Sequence, residues 1–210
     1  DIESIAFSNC ENLYSVEIKS NELNCSGGNI FSGCSKLKNI RLTGELTSIP
    51  DGLFSDVSSL EQVNIPSTVT QIGNSAFFGC TSLKQINLPE SLTTIGGNAF
   101  DSCESLKDLI IPENVDSIGD YAFNDCKGLT KVEIKSLYLN YADSIFYDCN
   151  NLKNILLTGN LTSIPKGMFA HVASLESIKL PETVSKIEDS AFEGCTSLRK
   201  VDMPDGVTSM

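Results

Sequence analysis

The chain has 210 residues, of which 40% are hydrophobic, enough to build one continuous core. Its formal net charge is −12 and no basic stripe is present, which argues against binding to nucleic acid or to an anionic membrane surface. A run of about 18 apolar residues is missing from the sequence, so we expect no membrane insertion by this segment.

A repeat of 23 residues, marked by phenylalanine, dominates the sequence. Leucine stands six residues after each marking phenylalanine, and cysteine, or in two copies valine, stands three residues after it. The marking residues are Phe7, Phe31, Phe54, Phe77, Phe100, Phe123, Phe146, Phe169 and Phe192, with 24 residues in the first interval only. A fixed period of this length predicts stacked coils, in which each position faces the same position of the neighbouring coils.

The first part of the unit, in the copy at residues 65–88, is a short extended stretch followed by a turn. Ile72 lies in the extended stretch, and Gly73 is typical of a turn. Asn74 or Ser75 is suited to cap a short helical turn, which would bury the repeat phenylalanine.

The second part of the unit is a strand with one buried face. We expect Leu83, Ile86 and Leu88 to point inward, whereas Gln85 and Asn87 alternate outward. The proline that follows cannot donate to a sheet ladder, so it ends the strand. Stacking the units turns these strands into the rungs of a parallel sheet.

Together these elements predict a single domain over residues 1–210. It is a β-rich solenoid of about nine coils, a right-handed curved stack of short parallel strands and short helical or 3-10 turns, on the order of 40 Å long. The chain opens at Asp1 and stops at Met210 in mid-repeat, without capping coils, so we expect a fragment of a longer array. Uncapped ends would permit self-association.

A longer repeat lies over the first. Residues 31–83 closely match residues 146–198, at an offset of 115 residues or five coils. One coil earlier the offset is 116, and we expect the extra residue within Ser26-Gly27-Gly28, where glycine permits a bulge. Duplication of a five-coil block is the simplest explanation.

The unit Ile-Pro-x-x-Val/Leu-x-x-Ile-Gly-x-x-Ala-Phe-x-x-Cys-x-x-Leu-x-x-Ile/Val resembles the BspA-like, or Treponema pallidum type, leucine-rich repeat. Residues 65–86, 88–109 and 111–132 follow the pattern almost fully, and the resemblance covers the whole chain. The pattern degenerates at residues 23–30 and 137–145, where we expect bulged coils. The resemblance implies a leucine-rich-repeat solenoid.

The same resemblance implies a non-enzymatic protein of the cell surface, or a secreted one. Proteins of this kind are thought to act in adhesion, so the implied partner is a host, matrix or cell-surface protein. The family brings no catalytic motif, and no cofactor is expected.

Seven of the eight cysteines share the repeat position, which favours buried thiols that pack as small hydrophobes. Some disulfide bonding stays open, because adjacent coils bring their Cα atoms within range at about 5 Å, although parallel side chains disfavour it. Zinc ligands two to four residues apart are not offered by a 23-residue spacing. Cys25 lies outside the repeat position, in an irregular coil, and is the cysteine that we expect to react first.

The remaining candidates for chemistry are weak. His171 is the only histidine, and no Gly-x-Ser-x-Gly elbow accompanies it, so we expect an ordinary surface residue. Glycine pairs lack the Lys-Ser/Thr of a phosphate loop, and the acidic residues form no regular calcium repeat. No catalytic, cofactor-binding or metal site is predicted.

If the solenoid binds a protein, the outward positions of the strands are the candidate binding face. These positions lie eight and ten residues after each phenylalanine, and most are polar and differ between coils. Arg41 is their only residue of a type enriched in binding hot spots, and Ile110 and Leu156 add exposed apolar points. The candidate residues are Asn39, Arg41, Gln62, Asn64, Gln85, Asn87, Asp108, Ile110, Lys131, Glu133, Asn154 and Leu156.

Three functional hypotheses remain. The first is an extracellular module for protein binding or adhesion, through this face or through an outer face that carries Phe78, Tyr121 and Tyr147. The second is a structural spacer or assembly scaffold without a dedicated ligand. The third, an enzyme, is disfavoured because no convergent acid, base, nucleophile or metal set is found.

Overall fold

The structure, a computed structural model, describes residues 2–3, 5–26, 28–137 and 143–209. Over these residues the chain is a solenoid of short strands, and all strand pairs are parallel. The strands are β1 (Ile2–Glu3), β2 (Ser15–Lys19), β3 (Cys25–Ser26), β4 (Asn39–Thr43), β5 (Ser48–Ile49), β6 (Gln62–Asn64), β7 (Gln71–Ile72), β8 (Thr94–Ile95), β9 (Asp108–Ile111), β10 (Ser117–Ile118), β11 (Lys131–Ile134), β12 (Asn154–Leu157), β13 (Ser163–Ile164), β14 (Ser177–Lys179), β15 (Lys186–Ile187) and β16 (Lys200–Asp202).

The longer strands, β2, β4, β6, β9, β11, β12, β14 and β16, are stacked as the rungs of what we call the main sheet. Each rung is offset from the next by one repeat, so that Val132 pairs with Leu109 on one side and with Ile155 on the other. Burial alternates along each strand: in β9, Leu109 and Ile111 are buried, while Ile110 is 49% exposed. The predicted solenoid of parallel rungs is confirmed.

One coil contributes no strand to the main sheet. At residues 85–88 the side chains alternate as predicted, because Ile86 is buried and Gln85 and Asn87 are exposed, yet no rung forms. Proline follows this segment at Pro89, and a proline cannot donate to a ladder. Rungs that are not followed by proline are longer, as in the five-residue β2 and β4.

A second row of two-residue strands runs beside the main sheet. Its members are β5, β7, β8 and β10, and beyond them β13 and β15. The isoleucine five residues before each phenylalanine lies in this row, so that Ile72 pairs with both Ile49 and Ile95. At the start of the chain, Cys25 in β3 pairs with Ile2 and so takes the place of an isoleucine.

The extra residue of the first interval lies where the sequence predicted it. The register offset is 23 residues where Ile2 pairs with Cys25, but 24 where Ser15 pairs with Asn39. The amide of Phe7 donates to the carbonyl of Ile30, so the insertion falls between Cys25 and Ile30. Gly27 lies outside the described residues, as does most of the second irregular segment, at residues 138–142.

Between the second row and the core, each coil makes what we call the turn edge, the six residues from three before to two after its phenylalanine. The expected short helical turn is corrected here, because the described parts of these segments contain turns and no helix. In all nine coils the residues two before and two after the phenylalanine have φ between 51° and 75°. This left-handed conformation cannot continue a helix, and it favours Gly, Asn and Asp.

The turn edge is held by backbone bonds that alternate in direction. The amides of Phe77 and Gly79 donate to carbonyls of the next coil, whereas the amides of Phe78 and Cys80 donate three residues back within their own coil. The side chain of Asn74 also reaches the next coil, where it accepts from the amide of Gly97 at 2.8 Å. Turn residues therefore bind the coils together instead of capping helices.

Phenylalanine rings fill the centre of the stack. Every successive pair of marking phenylalanines is in contact, with ring centroids 5.1 to 6.5 Å apart. The rings from Phe31 to Phe169 are at most 1% exposed, so they form a continuous buried column. Leucines of the repeat position, such as Leu83 and Leu106, pack around it. A central column of large side chains is what the 23-residue period predicts.

The duplicated block is visible in the contacts. Ser59 donates to the carbonyls of Cys34 and Leu37, and Ser174 makes the same two bonds 115 residues later. The two blocks differ at one rung: β4 pairs with β6, whereas β12 and β14, both described, do not pair.

Candidate binding surface

The predicted binding face lies on the outer surface of the main sheet. Eleven of its twelve predicted residues are exposed. The exception is Glu133, which is half-buried and accepts a hydrogen bond from Thr158 at 3.0 Å. A partner can therefore reach nearly all of this face.

Half of the predicted residues line one groove across the first four coils. Its volume is about 680 Å³. The predicted residues in its lining are Asn39, Arg41, Gln62, Asn64, Gln85 and Asn87. Ser15 and Glu17 of the first rung close the same groove. The structure thus brings these side chains to one concave site.

Within this groove Asn64 has a structural role that the sequence did not reveal. Its side-chain oxygen accepts from the amide of Leu42 at 3.1 Å, and its side-chain nitrogen donates to the carbonyl of Leu42 at 3.0 Å. The carboxamide thereby extends the ladder between β4 and β6 by one step. In the second block Lys179 stands at this position and cannot imitate a peptide group, which explains why β12 and β14 are not joined.

The other polar groups of the groove are available to a ligand. The side chains of Asn39, Gln62, Gln85 and Asn87 form no hydrogen bonds within the described residues, and neither does the guanidinium of Arg41. Each carboxamide offers donors and an acceptor, and the guanidinium offers five donors. The groove can therefore match a surface rich in both backbone carbonyls and amides.

Two further grooves accompany interruptions of the main sheet. One, of about 530 Å³, separates residues 85–88 from β9 and contains Asp108, Ile110 and three lysines. The other, of about 330 Å³, lies between β12 and β14 and contains Leu156. Three of the predicted residues line none of these grooves, namely Lys131, Glu133 and Asn154.

Charge is distributed unevenly between the two surfaces. The outward positions of the main sheet carry four acidic and four basic residues, so this face is neutral. The turn edge carries nine acidic residues and one lysine, a net charge of −8, which is most of the −12 of the chain. A partner of the main sheet need not be basic, whereas a partner of the turn edge must tolerate or exploit negative charge.

A pair of ion pairs borders the first groove. The carboxylate of Glu61 accepts from Lys38 at 2.8 Å and from Lys84 at 2.6 Å, joining three successive coils. Hydrogen bonds from Lys38 and Lys84 lower the pKa of the Glu61 carboxyl to about 2. All three side chains are accessible to water, so their contribution to stability is small.

The cysteines of the repeat position behave as packing residues, as predicted. Five of them are buried, and all eight cysteines of the chain are free thiols. Cys80 and Cys126 each donate through Sγ to the carbonyl of the phenylalanine one coil earlier, at 3.2 Å. Burial raises the pKa of both thiols well above the usual range, which keeps them protonated and unreactive.

The expected reactivity of Cys25 requires correction. Its side chain is half-buried in β3, and burial raises the pKa of its thiol. Cys10, in the first coil, is exposed. Reagents in water therefore reach Cys10 more readily than Cys25, because thiol reactivity requires both access and ionisation.

Catalytic and metal chemistry find no support in the part of the chain that the structure describes. His171 is half-buried on the turn edge beside Tyr147, at a ring distance of 4.8 Å, rather than fully exposed. No cluster of three or more potential metal ligands occurs in the described ranges. Nor does any helix there have the length and apolarity needed to cross a bilayer.

Comparison with known proteins identifies the repeat. A sequence profile described as the BspA type leucine rich repeat region, in six copies, matches residues 1–107 and 93–210. The chain belongs to the BspA-type leucine-rich repeat family. This family is a leucine-rich-repeat fold for protein interaction, generally without enzymatic activity. No curated protein matches this BspA-type chain.

Solved structures share the BspA-type solenoid. The Treponema pallidum leucine-rich repeat protein is 30% identical with a TM-score of 0.56, over 77% of this chain and 71% of that one. A leucine-rich cell surface protein from Faecalibacterium prausnitzii is 25% identical with a TM-score of 0.48, over 98% and 77%. The pneumococcal vaccine antigen PcpA is 21% identical with a TM-score of 0.54, over 93% and 55%. The resemblance inferred from the sequence is confirmed.

Proposed function

We propose that the chain is an extracellular protein-binding module that serves adhesion, and that the groove across its first four coils holds the partner. The observation that carries this proposal is the groove itself, in which Arg41 and four carboxamide side chains have no partners within the described residues. The family, whose leucine-rich repeats serve protein interaction, supports the same reading. The cell-surface location is part of the proposal.

The chemistry of the groove favours a polypeptide partner. Carboxamides pair with peptide groups in both directions, as Asn64 does with Leu42 inside the fold. The groove contains no tryptophan or tyrosine on which a sugar ring could stack. Its two charged residues, Glu17 and Arg41, are opposite in sign, so long-range attraction contributes little.

A structural spacer is the second candidate. The observation that favours it is the unbroken column of phenylalanine rings, which makes a stiff rod of the whole described stack. A spacer would be indifferent to changes on the outer surface of the main sheet.

The duplicated block supplies a matched variant that separates these two functions. Replacing Arg41→Leu, Gln62→Ser, Gln85→Lys and Asn87→Asp gives the first groove the residues that stand 115 positions later in the chain. The fold already accommodates those residues at equivalent positions, so the variant should fold. Asn64 is left unchanged because it joins β4 to β6.

Wild type and this block-exchanged variant are compared by surface plasmon resonance against purified host and matrix proteins. The proposal expects at least one protein that binds the wild type and binds the variant about tenfold more weakly or less. A variant with a reversed charge outside the groove, Glu113→Lys, should bind as the wild type does. Equal binding by all three proteins, or no binding at all, would favour the spacer.

Location is tested separately by protease treatment of intact source cells. Peptides of the repeats should be released without lysis. Their protection until the cells are lysed would contradict the extracellular part of the proposal.

A further inference from the structure

Three aromatic rings form a ladder along the turn edge of three successive coils. The ring centroids of Tyr121 and Tyr147 are 5.9 Å apart with a perpendicular, edge-to-face contact, and those of Tyr147 and His171 are 4.8 Å apart. Tyr121 is 41% exposed, and the other two rings are half-buried. This ladder is the only contact between aromatic rings outside the phenylalanine column that is found in the described residues.

Two members of the ladder occupy backbone positions that disfavour large side chains. Tyr121 has φ 57° and His171 has φ 60°. Most other coils place Gly, Asn, Asp or Ser at the same two positions, where a left-handed residue costs least. Bulky residues held in this conformation occur preferentially at functional sites, so the ladder calls for an explanation other than folding.

Carboxylates surround the ladder. Asp120 and Asp143 precede its two tyrosine-bearing turns, and Asp148 follows Tyr147; all three are exposed. Asp120 accepts from the amide of Asp143 at 3.1 Å, which fixes one carboxylate beside the rings. Aromatic faces and carboxylates both attract organic cations.

We propose that this ladder and its carboxylates are a second binding surface, which takes an arginine- or lysine-rich segment of a partner protein. Charge complementarity chooses the occupant, because the turn edge carries a net charge of −8 while the main sheet face is neutral. Guanidinium groups can lie on the tyrosine rings and pair with the flanking carboxylates at the same time. The surface is separate from the groove of the main sheet, so it does not depend on the function proposed for that groove.

The test uses a fluorescent arginine–glycine repeat peptide and measures anisotropy at low and at physiological salt. The ladder variant is Tyr121→Ser with Tyr147→Asn, which copies Ser144 and Asn124 from the same positions of neighbouring coils. The charge variant is Asp120→Asn with Asp148→Asn, in which the side-chain oxygens remain as acceptors.

The first control replaces a distant exposed tyrosine, Tyr14→Ser, which is 58% exposed. The second control replaces a groove residue, Gln62→Ala. A repeat peptide of glutamate and glycine measures attraction that is not due to positive charge.

The ladder variant should bind the arginine peptide about tenfold more weakly than the wild type. The charge variant should lose affinity and also some salt dependence. Both controls should bind as the wild type does. Equal affinity of the ladder variant and the wild type would overturn the proposal, because binding would then be a general effect of negative charge.

Absence of peptide binding at low salt would also overturn the proposal. So would concentration-dependent self-association that disappears in the ladder variant, since the occupant would then be a second copy of the chain. Analytical ultracentrifugation of the same two proteins distinguishes this case.

Discussion

The Sγ atom of Cys103 donates a hydrogen bond to the carbonyl oxygen of Phe77, 26 residues earlier, across 3.3 Å. The same bond recurs between most successive coils, so that a thiol and a phenylalanine link each coil to the one before it. The repeat position therefore needs a side chain of cysteine size, and the weak donor adds to its packing.

We expect Cys103→Val to change the free energy of unfolding by no more than about 1 kcal/mol, because Val57 and Val172 fill this position elsewhere. Cys103→Ala should cost about 1–2 kcal/mol, since it leaves a cavity beside the phenylalanine column. Urea unfolding followed by circular dichroism measures both. If valine were the costlier substitution, the hydrogen bond would matter more than the packing.

Leu83→Ala should destabilise the fold by about 2–5 kcal/mol, because Leu83 is fully buried in the stack. The double substitution Gln85→Glu with Asn87→Asp, two exposed neighbours, should leave stability nearly unchanged. Equilibrium unfolding of the two variants in parallel checks the inward and outward assignment. The reverse order of stability would show that the assignment is wrong, even though residues 85–88 form no strand.

Gly119→Ala should be strongly destabilising although Gly119 is not in the left-handed region. An added Cβ would lie 2.3 Å from the backbone nitrogen of Gly97, in the preceding coil, so two backbones would have to separate. Gly97→Ala is the matched control, because its nearest contact would be an ordinary 3.4 Å. Thermal melts should show a large fall in Tm for the first and little change for the second. Similar melts would indicate that the coils can be spaced apart at little cost.

The Glu61 carboxyl should titrate near pH 2, well below its usual 4.5, because Lys38 and Lys84 stabilise its charged form. A depressed pKa contributes stability that is fully present above the unfolded value and is lost as the pH falls from about 4.5 to about 2. Carbon NMR of the Glu61 carboxyl gives the midpoint directly. Lys38→Met with Lys84→Met should return it towards 4.5, and a midpoint already near 4.5 in the wild type would mean that the ion pairs do not persist in solution.

Most of the fold could be predicted from the sequence, because a residue of fixed period meets its own copies. The spacing of the phenylalanines predicted a column in which Phe77 lies on Phe100, and their ring centroids are 5.1 Å apart. Helical turns were expected beside that column and were not found, since left-handed residues such as Ser75 stop a helix after one turn. Periodicity reports burial but does not report φ.

The site was less predictable than the fold. Alternation in the strands predicted which residues face outward, but not that Asn64 would bind the backbone of Leu42. The aromatic ladder joins residues from different positions of the repeat, so an alignment of the coils does not place Tyr121 beside Tyr147 or His171. The available signal was that three ring-bearing turns follow one another in the chain.

The central claim, that the groove of the main sheet holds a protein partner, is tested most directly by site-specific photo-crosslinking. Benzoylphenylalanine replaces Gln85 in the groove or, as a control, the exposed Glu113 outside it. Each protein is irradiated on host cells and extracellular matrix. A discrete crosslinked protein obtained from position 85 and not from position 113 is the predicted result. The same products from both positions, or none from position 85, would contradict the account.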